Sequence, residues 1–495
     1  MGLLITRDTF EDHEYVRFSE RLLASIEALD ILLARPGFGD GETTIGAELE
    51  LFLVDDAGLP LPANREVLAK TVDPRFTVEM DRFNLEFNAR PLPLAGGPFA
   101  ALAAEIDGAM AEISRAAREC SGRIVHIGIL PTLCREDLVV EKMTDNPRYH
   151  ALSKGLRQLR GGPFQLRIHG DDPLALDTDD AAMEGACTSF QVHLRVSPKN
   201  FARFYNAAQL ATIPALAASG NSPLLVGHRL WEETRIALFK QSVDDRADHG
   251  GWHAPPRVSF GNGWMRQTVV EAFAESVALH APVIPVLDKE HPLEVVGRGQ
   301  VPLLAELRLH HGTVWRWNRA VYDPAGGGHV RIEFRALPAG PTTADMVANA
   351  AFMLGLTLGL APEVDRILPA YPFSLANHAF YRAAQSGLDA VFPWPTDAAP
   401  SPRDVNAASL CLQLLPIARR GLIDGGVDAR DADHYLSIIA SRVDTRRTGA
   451  TWQRRTLAAL CRSMSLPEAL RALLWRYESL SARGAPVHTW PIEDA

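Results

Sequence analysis

Thr44-Ile-Gly-Ala-Glu-Leu-Glu-Leu-Phe-Leu-Val54 is the stretch whose reading decides the fold. As an extended strand it sends alternate side chains to opposite faces. Ile45, Ala47, Leu49, Leu51 and Leu53 take one side; Gly46, Glu48, Glu50 and Phe52 take the other. Two carboxylates about 7 Å apart then share a face, and they repel unless something positive lies between them. For this strand alone, a solvated acidic face and a ligand-bearing face both stand.

Other segments repeat the split. Ser189, Gln191, His193, Arg195 and Ser197 alternate with Phe190, Val192, Leu194 and Val196, and His329, Arg331, Glu333 and Arg335 alternate with Val330, Ile332 and Phe334. In Phe76 to Asn88, Glu79 and Glu86 are an odd number of residues apart, so an unbroken strand puts them on opposite faces. A turn or bulge around Asp81 to Asn84 brings them together. Four strands with apolar backs and polar fronts predict an antiparallel sheet with helices behind it and one concave polar surface in front. That surface collects Glu48, Glu50, Glu79, Glu86, Glu333, His193 and Arg335. So many carboxylates call for hard divalent cations, and oxygen ligands with one imidazole suit Mg²⁺ or Mn²⁺ better than zinc. Cations joined by arginines are what phosphoryl transfer from ATP requires.

The rest of the chain frames this sheet. Helical spacing is read over residues 14–33, 98–120 and 201–218, a buried strand over 123–130, and long loops forming a lid or substrate wall over 145–180. Residues 244–263 are loop-rich. Gly326-Gly-Gly328 lacks the Gly-Lys-Ser/Thr ending of a phosphate-cradling loop and reads as a hairpin turn. From Pro341 onward the pattern is helical, with a proline-rich connector at 393–402 and helices over 405–424, 431–442, 449–463 and 466–481. Arg419-Arg420 and Arg446-Arg447 read as solvated faces. The resulting division is a catalytic unit at 1–390, a connector at 391–404 and a helical extension at 405–495.

With 47% apolar and 22% charged residues the composition is globular, and the net charge of −10 argues against nucleic acid or acidic membranes as partners. Five scattered cysteines with no C-x-x-C pair argue against a disulfide framework and point to the cytoplasm. No signal-peptide core is read at the N-terminus, and the most apolar run, Ala348 to Ala361, is too short to span a bilayer.

Glu48-Leu-Glu50, Glu79 with Asn84-Leu-Glu86, Ser189-Phe-Gln-Val-His193, Gly220-Asn-Ser-Pro223 with Trp231-Glu-Glu-Thr-Arg235, and Glu333-Phe-Arg335 occur in this order. As an ordered set over residues 40–390 they resemble glutamate–cysteine ligase family 2, the carboxylate–amine ligases of the glutamine synthetase superfamily. The resemblance implies an α+β fold in which a curved, mostly antiparallel sheet forms an active-site funnel with helices outside. It implies Glu48, Glu50, Glu79, Glu86, His193 and Glu333 as metal ligands and Glu333 and Arg335 as catalytic residues. Arg335 and Arg319 would contact the phosphates of ATP, and Gln191 and Arg235 would grip substrate. For Arg235, an ordinary ion pair with Glu232 is the alternative.

The implied activity is formation of a γ-glutamyl amide through an acyl phosphate, from glutamate and an amine such as cysteine, with ATP and Mg²⁺ (or Mn²⁺). A γ-glutamyl ligase for another amine and a metal-dependent amide or phosphoester hydrolase are the alternatives. The tail extends beyond smaller family members; capping the sheet, forming a homo-oligomer interface and shaping the amine pocket all remain open for it.

Overall fold

A computed structural model describes residues 3, 5–246, 255–395 and 401–492. Thr44–Val54 is a strand at the centre of the main sheet. The order across the sheet is Asn318–Asp323, His329–Phe334, Phe190–Arg195, Thr44–Val54, Asn84–Asn88 and Phe76–Val78, every neighbour antiparallel. The short strands Leu92–Pro93 and Arg123–Val125 pair with the two ends of Thr44–Val54.

The register brings the polar fronts side by side. Glu48 lies opposite Gln191 on one side and Asn88 on the other, Glu50 opposite Glu86, and Gly46 opposite His193. His193 is in turn opposite Glu333, and Glu333 opposite Arg319. Because strand periodicity is two, one in-register pairing fixes which side chains share the front of the whole sheet. Leu49, Leu51, Leu85, Phe87, Phe190, Val192, Leu194, Ile332 and Phe334 form the fully buried back.

The chain breaks between Val78 and Asn84, where Asn84 N–H donates to Asp81 O at 2.9 Å. The expected turn is therefore there, and it sets Glu79 and Glu86 on the cavity side together. The glycine triplet makes the turn between Asn318–Asp323 and His329–Phe334, as read.

Two readings are corrected. Residues 145–180 are not long loops: Pro147–Arg160 is a helix, capped by Asn146 Oδ1 accepting from Arg148 N–H at 3.0 Å, and Phe164–Ile168 pairs with Leu174–Thr178 as a hairpin. Buried Ala151, Leu152 and Leu156 at helical spacing, and buried Phe164, Leu166 and Ile168 alternating with exposed Gln165 and Arg167, are the physical cause. The expected wall is nonetheless made by this helix, through Arg148, Tyr149 and Leu152. The strand at 123–130 stops at Val125; beyond it the carbonyls of Ile127 and Gly128 accept from Thr188.

Thr343–Leu360 runs through the centre of the helical layer, packed by Phe201–Ser219, Ala407–Asp424 and Ala429–Thr445. With the turns after it to Ala370, this stretch is long and apolar enough to cross a membrane, but 89% of its most apolar window is buried inside the protein.

The four tail helices form over Ala407–Asp424, Ala429–Thr445, Gly449–Leu460 and Leu466–Ser481. They are tied into the body. Asp431 accepts from Phe99 N–H (2.9 Å) and Ala100 N–H (3.0 Å), serving the first turn of Pro98–Glu119 from another helix. Arg419 pairs with Asp433 on the surface, as a solvated face does, whereas Arg447 is half-buried and donates to the carbonyls of His488 (2.9 Å) and Trp490 (2.8 Å). Of the connector, Val391–Trp394 pairs with Arg403–Asn406, and residues 396–400 lie outside the described residues, as do 247–254 of the loop-rich region.

Candidate active site

In front of the sheet lies a cavity of about 830 Å³, within the range of small-molecule and cofactor sites. One part is polar, lined by Glu48, Glu50, Glu79, Glu86, Glu184, Gln191, Arg319, Arg331 and Arg335. The lining also takes in apolar Phe273 and Leu309 from two helices, Val321 and Tyr322 from the outermost strand, and Trp315 from the segment before that strand.

Hydrogen bonds join the polar groups into two chains. Glu50 accepts from Ser189 N–H (2.6 Å) and from Gln191 Nε2 (2.8 Å). Gln191 Oε1 accepts from Arg335, which also donates to Glu333, and Arg319 grips Glu333 through Nη2 at 2.9 Å to both carboxylate oxygens. In the second chain, Arg331 is paired with Asp323 (2.7 Å) and donates through Nε to His193 Nδ1 (3.1 Å). A guanidinium N–H makes Nδ1 the acceptor, so the ring proton sits on Nε2, directed at Glu48 Oε1 at 3.1 Å.

The acids divide by charge compensation. Burial pushes the Glu333 carboxyl up, but Arg319 and Arg335 outweigh it and hold it well below the usual range. Glu48 is likewise held down by His193 against burial. Burial raises Glu50 despite nearby Arg335 and Arg235. Glu79 is pushed up to about 8 by burial and then by Glu50 and Glu184. Glu86 is raised well above its ordinary value by burial and by Glu48, Glu79 and Glu50. Glu184 is pushed up to about 8 by burial and by Glu50. Glu50, Glu79, Glu86 and Glu184 therefore make an all-oxygen, under-compensated wall, a donor set that suits a hard divalent cation.

Glu48, Glu50, Glu79 and Glu86 line the cavity together as the sequence reading requires, but the other two expected metal ligands do not: His193 is 7% exposed and Glu333 2%, and both lie behind the lining. Among the described residues no three His, Cys, Asp or Glu side chains converge closely enough to hold an ion as they stand.

Arg319 and Arg335 line the cavity, and so does Gln191, held between Glu50 and Arg335. Arg235 is a correction. It does not line the cavity; it is 2% exposed and paired at 2.9 Å with Glu233, not Glu232, while Glu232 pairs with Arg454 at 2.7 Å. A guanidinium committed to a buried partner has no free fork for a substrate carboxylate.

The sequence reading missed Glu184, which sits in a single 3₁₀ turn, Ala182–Ala186, with no periodicity to announce it. It also missed Arg331, whose importance depends on pairing with His193 across strands.

The family described as glutamate–cysteine ligase family 2 matches residues 44–473. A comparison with curated proteins gives no match. Among solved structures, glutamate–cysteine ligase from Francisella tularensis in complex with AMP is 12% identical, with a TM-score of 0.56 over 92% of this chain and 91% of that one. A bifunctional glutathione synthetase from Pasteurella multocida is 11% identical, with a TM-score of 0.43 over 94% of this chain and 55% of that one. At such identity the Francisella likeness speaks to the fold, which the two chains share over nearly their whole lengths.

Proposed function

Because the chain belongs to glutamate–cysteine ligase family 2, we propose that it is an ATP-dependent carboxylate–amine ligase that forms a γ-glutamyl amide, with cysteine as the first candidate acceptor. The observation that carries the reading is the union, in one cavity, of an under-compensated carboxylate wall with Arg319 on the outermost strand and Arg335 just past the end of its neighbour. A relative of the same fold whose structure holds AMP supports a nucleotide in this cavity.

In this reading the γ-carboxylate oxygen of glutamate attacks the γ-phosphorus of ATP. The bond to the β–γ bridging oxygen breaks, and ADP leaves with its electron pair. The amine then attacks the acyl carbon of the acyl phosphate, phosphate departs, and the nitrogen gives up a proton to leave a neutral amide. Arg319 and Arg335 hold the transferring phosphoryl oxygens, where preorganised positive charge lowers the barrier. Glu333 orients both guanidiniums, and Gln191 keeps Arg335 and Glu50 in fixed relation. Glu48, Glu50, Glu79 and Glu86 would hold Mg²⁺ or Mn²⁺, with His193 orienting Glu48. When bound, the cation neutralises phosphate charge and aligns the chain of phosphates.

A screen of ADP release with Mg²⁺, ATP and glutamate across amino acids and small amines tests the proposal. The expected result is release that needs both glutamate and an amine and is abolished by EDTA. No ADP with any acceptor would remove the ligase reading, and substrate hydrolysis without ATP would favour the metal-dependent hydrolase.

Cation binding has a readout apart from turnover. Glu79 and Glu184 are raised from an ordinary 4.5 to about 8, so between those values the folded protein carries protons the unfolded chain has lost. Its stability, without cations, should therefore fall as pH rises through that window. Adding Mg²⁺ or Mn²⁺ at pH 7 should release protons into weak buffer, and less so in Glu79→Gln. A pH-stat trace that does not move would count against these carboxylates as the cation site.

A further inference from the structure

Gly220-Asn-Ser-Pro223 stands out in the sequence, yet neither Asn221 nor Ser222 lines the cavity; both are completely buried. Asn221 spends all its polar groups on four other segments. Its backbone N–H donates to Glu233 Oε2 (2.9 Å), and its Nδ2 donates to Ala339 O (2.7 Å) and Tyr477 Oη (2.9 Å). Its Oδ1 and main-chain O accept from Gln453 Nε2 at 2.9 and 3.1 Å. The Tyr477 hydroxyl in turn donates to His126 O at 3.0 Å. Gln453 and Tyr477 belong to the last two tail helices, Gly449–Leu460 and Leu466–Ser481.

The approach is close enough to demand glycine around it. A Cβ at Gly449 would lie 2.1 Å from Asn221 Oδ1, and one at Gly340 would lie 2.5 Å from Tyr477 Oη and 3.0 Å from Asn221 Nδ2. Gly340 also sits at φ +74°, a conformation open to glycine and costly for other residues.

From this knot a second set of bonds leads to the cavity. Ser222 Oγ donates to Glu233 Oε1 (2.7 Å), the same oxygen that receives Arg235 Nη1 (2.9 Å). Arg235 then donates to the main-chain carbonyls of Ala336 (3.2 Å) and Arg335 (3.4 Å). The strand His329–Phe334 ends one residue before Arg335, and main-chain bonds continue beyond it only at intervals. Arg335 N–H donates to Trp317 O (2.9 Å), Leu337 O accepts from Phe190 N–H (3.0 Å) and Ala339 N–H donates to Thr188 O (3.3 Å), which leaves the carbonyls of residues 335, 336 and 339 to side-chain donors. Those at 335 and 336 are held by Arg235, and the one at 339 by Asn221.

We propose that Asn221 is a positioning residue through which the tail helices fix the Arg335–Gly340 main chain, and so the direction of Arg335 in the cavity. The tail is then part of the machinery that orders the site. This deepens the ligase reading and rests on it for the role of Arg335.

The test uses the full chain with Tyr477→Phe, Gln453→Met and their combination, with Leu473→Ala as a packing control on the last tail helix. Leu473 is fully buried and apolar. The expected result is that Tyr477→Phe and Gln453→Met each lower kcat about tenfold, with KM for ATP and glutamate within about twofold, because small displacements of a positioned group act on the chemical step. The double variant should lose less than the product of the two, since both act through Asn221. Leu473→Ala should lower Tm at least as much while keeping kcat within about twofold.

Unchanged kcat in both single variants, or an equal kcat loss in Leu473→Ala, would overturn the proposal. If wild-type protein releases no ADP, the ligase reading fails and amide hydrogen exchange decides the positioning claim. Faster exchange at the Ala336, Leu337, Ala339 and Gly340 amides in Tyr477→Phe than in Leu473→Ala supports it, and equal exchange overturns it.

Discussion

Glu333→Gln should cut turnover by about a thousandfold while the protein stays folded. Glu333 is 2% exposed and is the shared counter-charge of Arg319 and Arg335, gripped by the first through both oxygens. An amide keeps the shape, removes the charge, and offers N–H where an acceptor is needed. The two guanidiniums then repel each other across one neutral side chain and must turn toward the cavity or take up an anion. In the proposed reaction their geometry at the transferring phosphoryl group is then lost, along with the field that favours charge building there. Water from the cavity reaches both arginines, so the cost to folding is blunted relative to a sealed ion pair. The measurements are kcat with saturating ATP and circular dichroism of the same sample. Turnover within tenfold of wild type, in a folded variant, would remove Glu333 from the centre of the site.

The largest effect on stability is expected at Asp345. This residue, wholly buried in Thr343–Leu360, pairs with Arg442 of Ala429–Thr445 at 2.8 Å and also accepts from Thr342 Oγ1 (2.8 Å) and Val487 N–H (2.9 Å). Arg442, 1% exposed, has Asn349 Oδ1 and Ala218 O as its other acceptors. Asp345→Ala leaves a guanidinium with no counter-charge deep in the helical layer, and removing one member of such a pair costs roughly 3–5 kcal/mol. The urea midpoint should fall accordingly. Converting both, as Asp345→Leu with Arg442→Met, should recover much of the loss, because the charge and its partner leave together. A single variant within about 1 kcal/mol of wild type would mean that water or another acceptor reaches Arg442, and the pair would not be the clamp that joins the tail to the central helix.

Alternation made the central sheet legible. Glu48 and Glu50 could be put on one face from Thr44–Val54 alone, and the turn at Asp81 to Asn84 was demanded by the odd spacing of Glu79 and Glu86. The hairpin at 164–178 carried the same signal in weaker form and was lost among glycines and charges. Arg235 misled because a guanidinium near a motif looks the same whether its partner is a substrate or a carboxylate two residues away.

What the sequence determined by itself is local and periodic: which strands have an apolar back, which acids share a front, and where along the tail its four helices lie, though not their ends to the residue. Side chains along one element obey its geometry, so no neighbour is needed to place them. Tertiary structure alone decided the rest. It settled that Glu184 joins the carboxylate wall, that His193 turns its proton toward Glu48, that Arg235 serves the main chain of Arg335, and that Asn221 ties the tail to the segment that follows Arg335. Each of these depends on charge, burial or a single donated proton between groups far apart in the chain, and such pairings are set by register and packing, which no single segment carries.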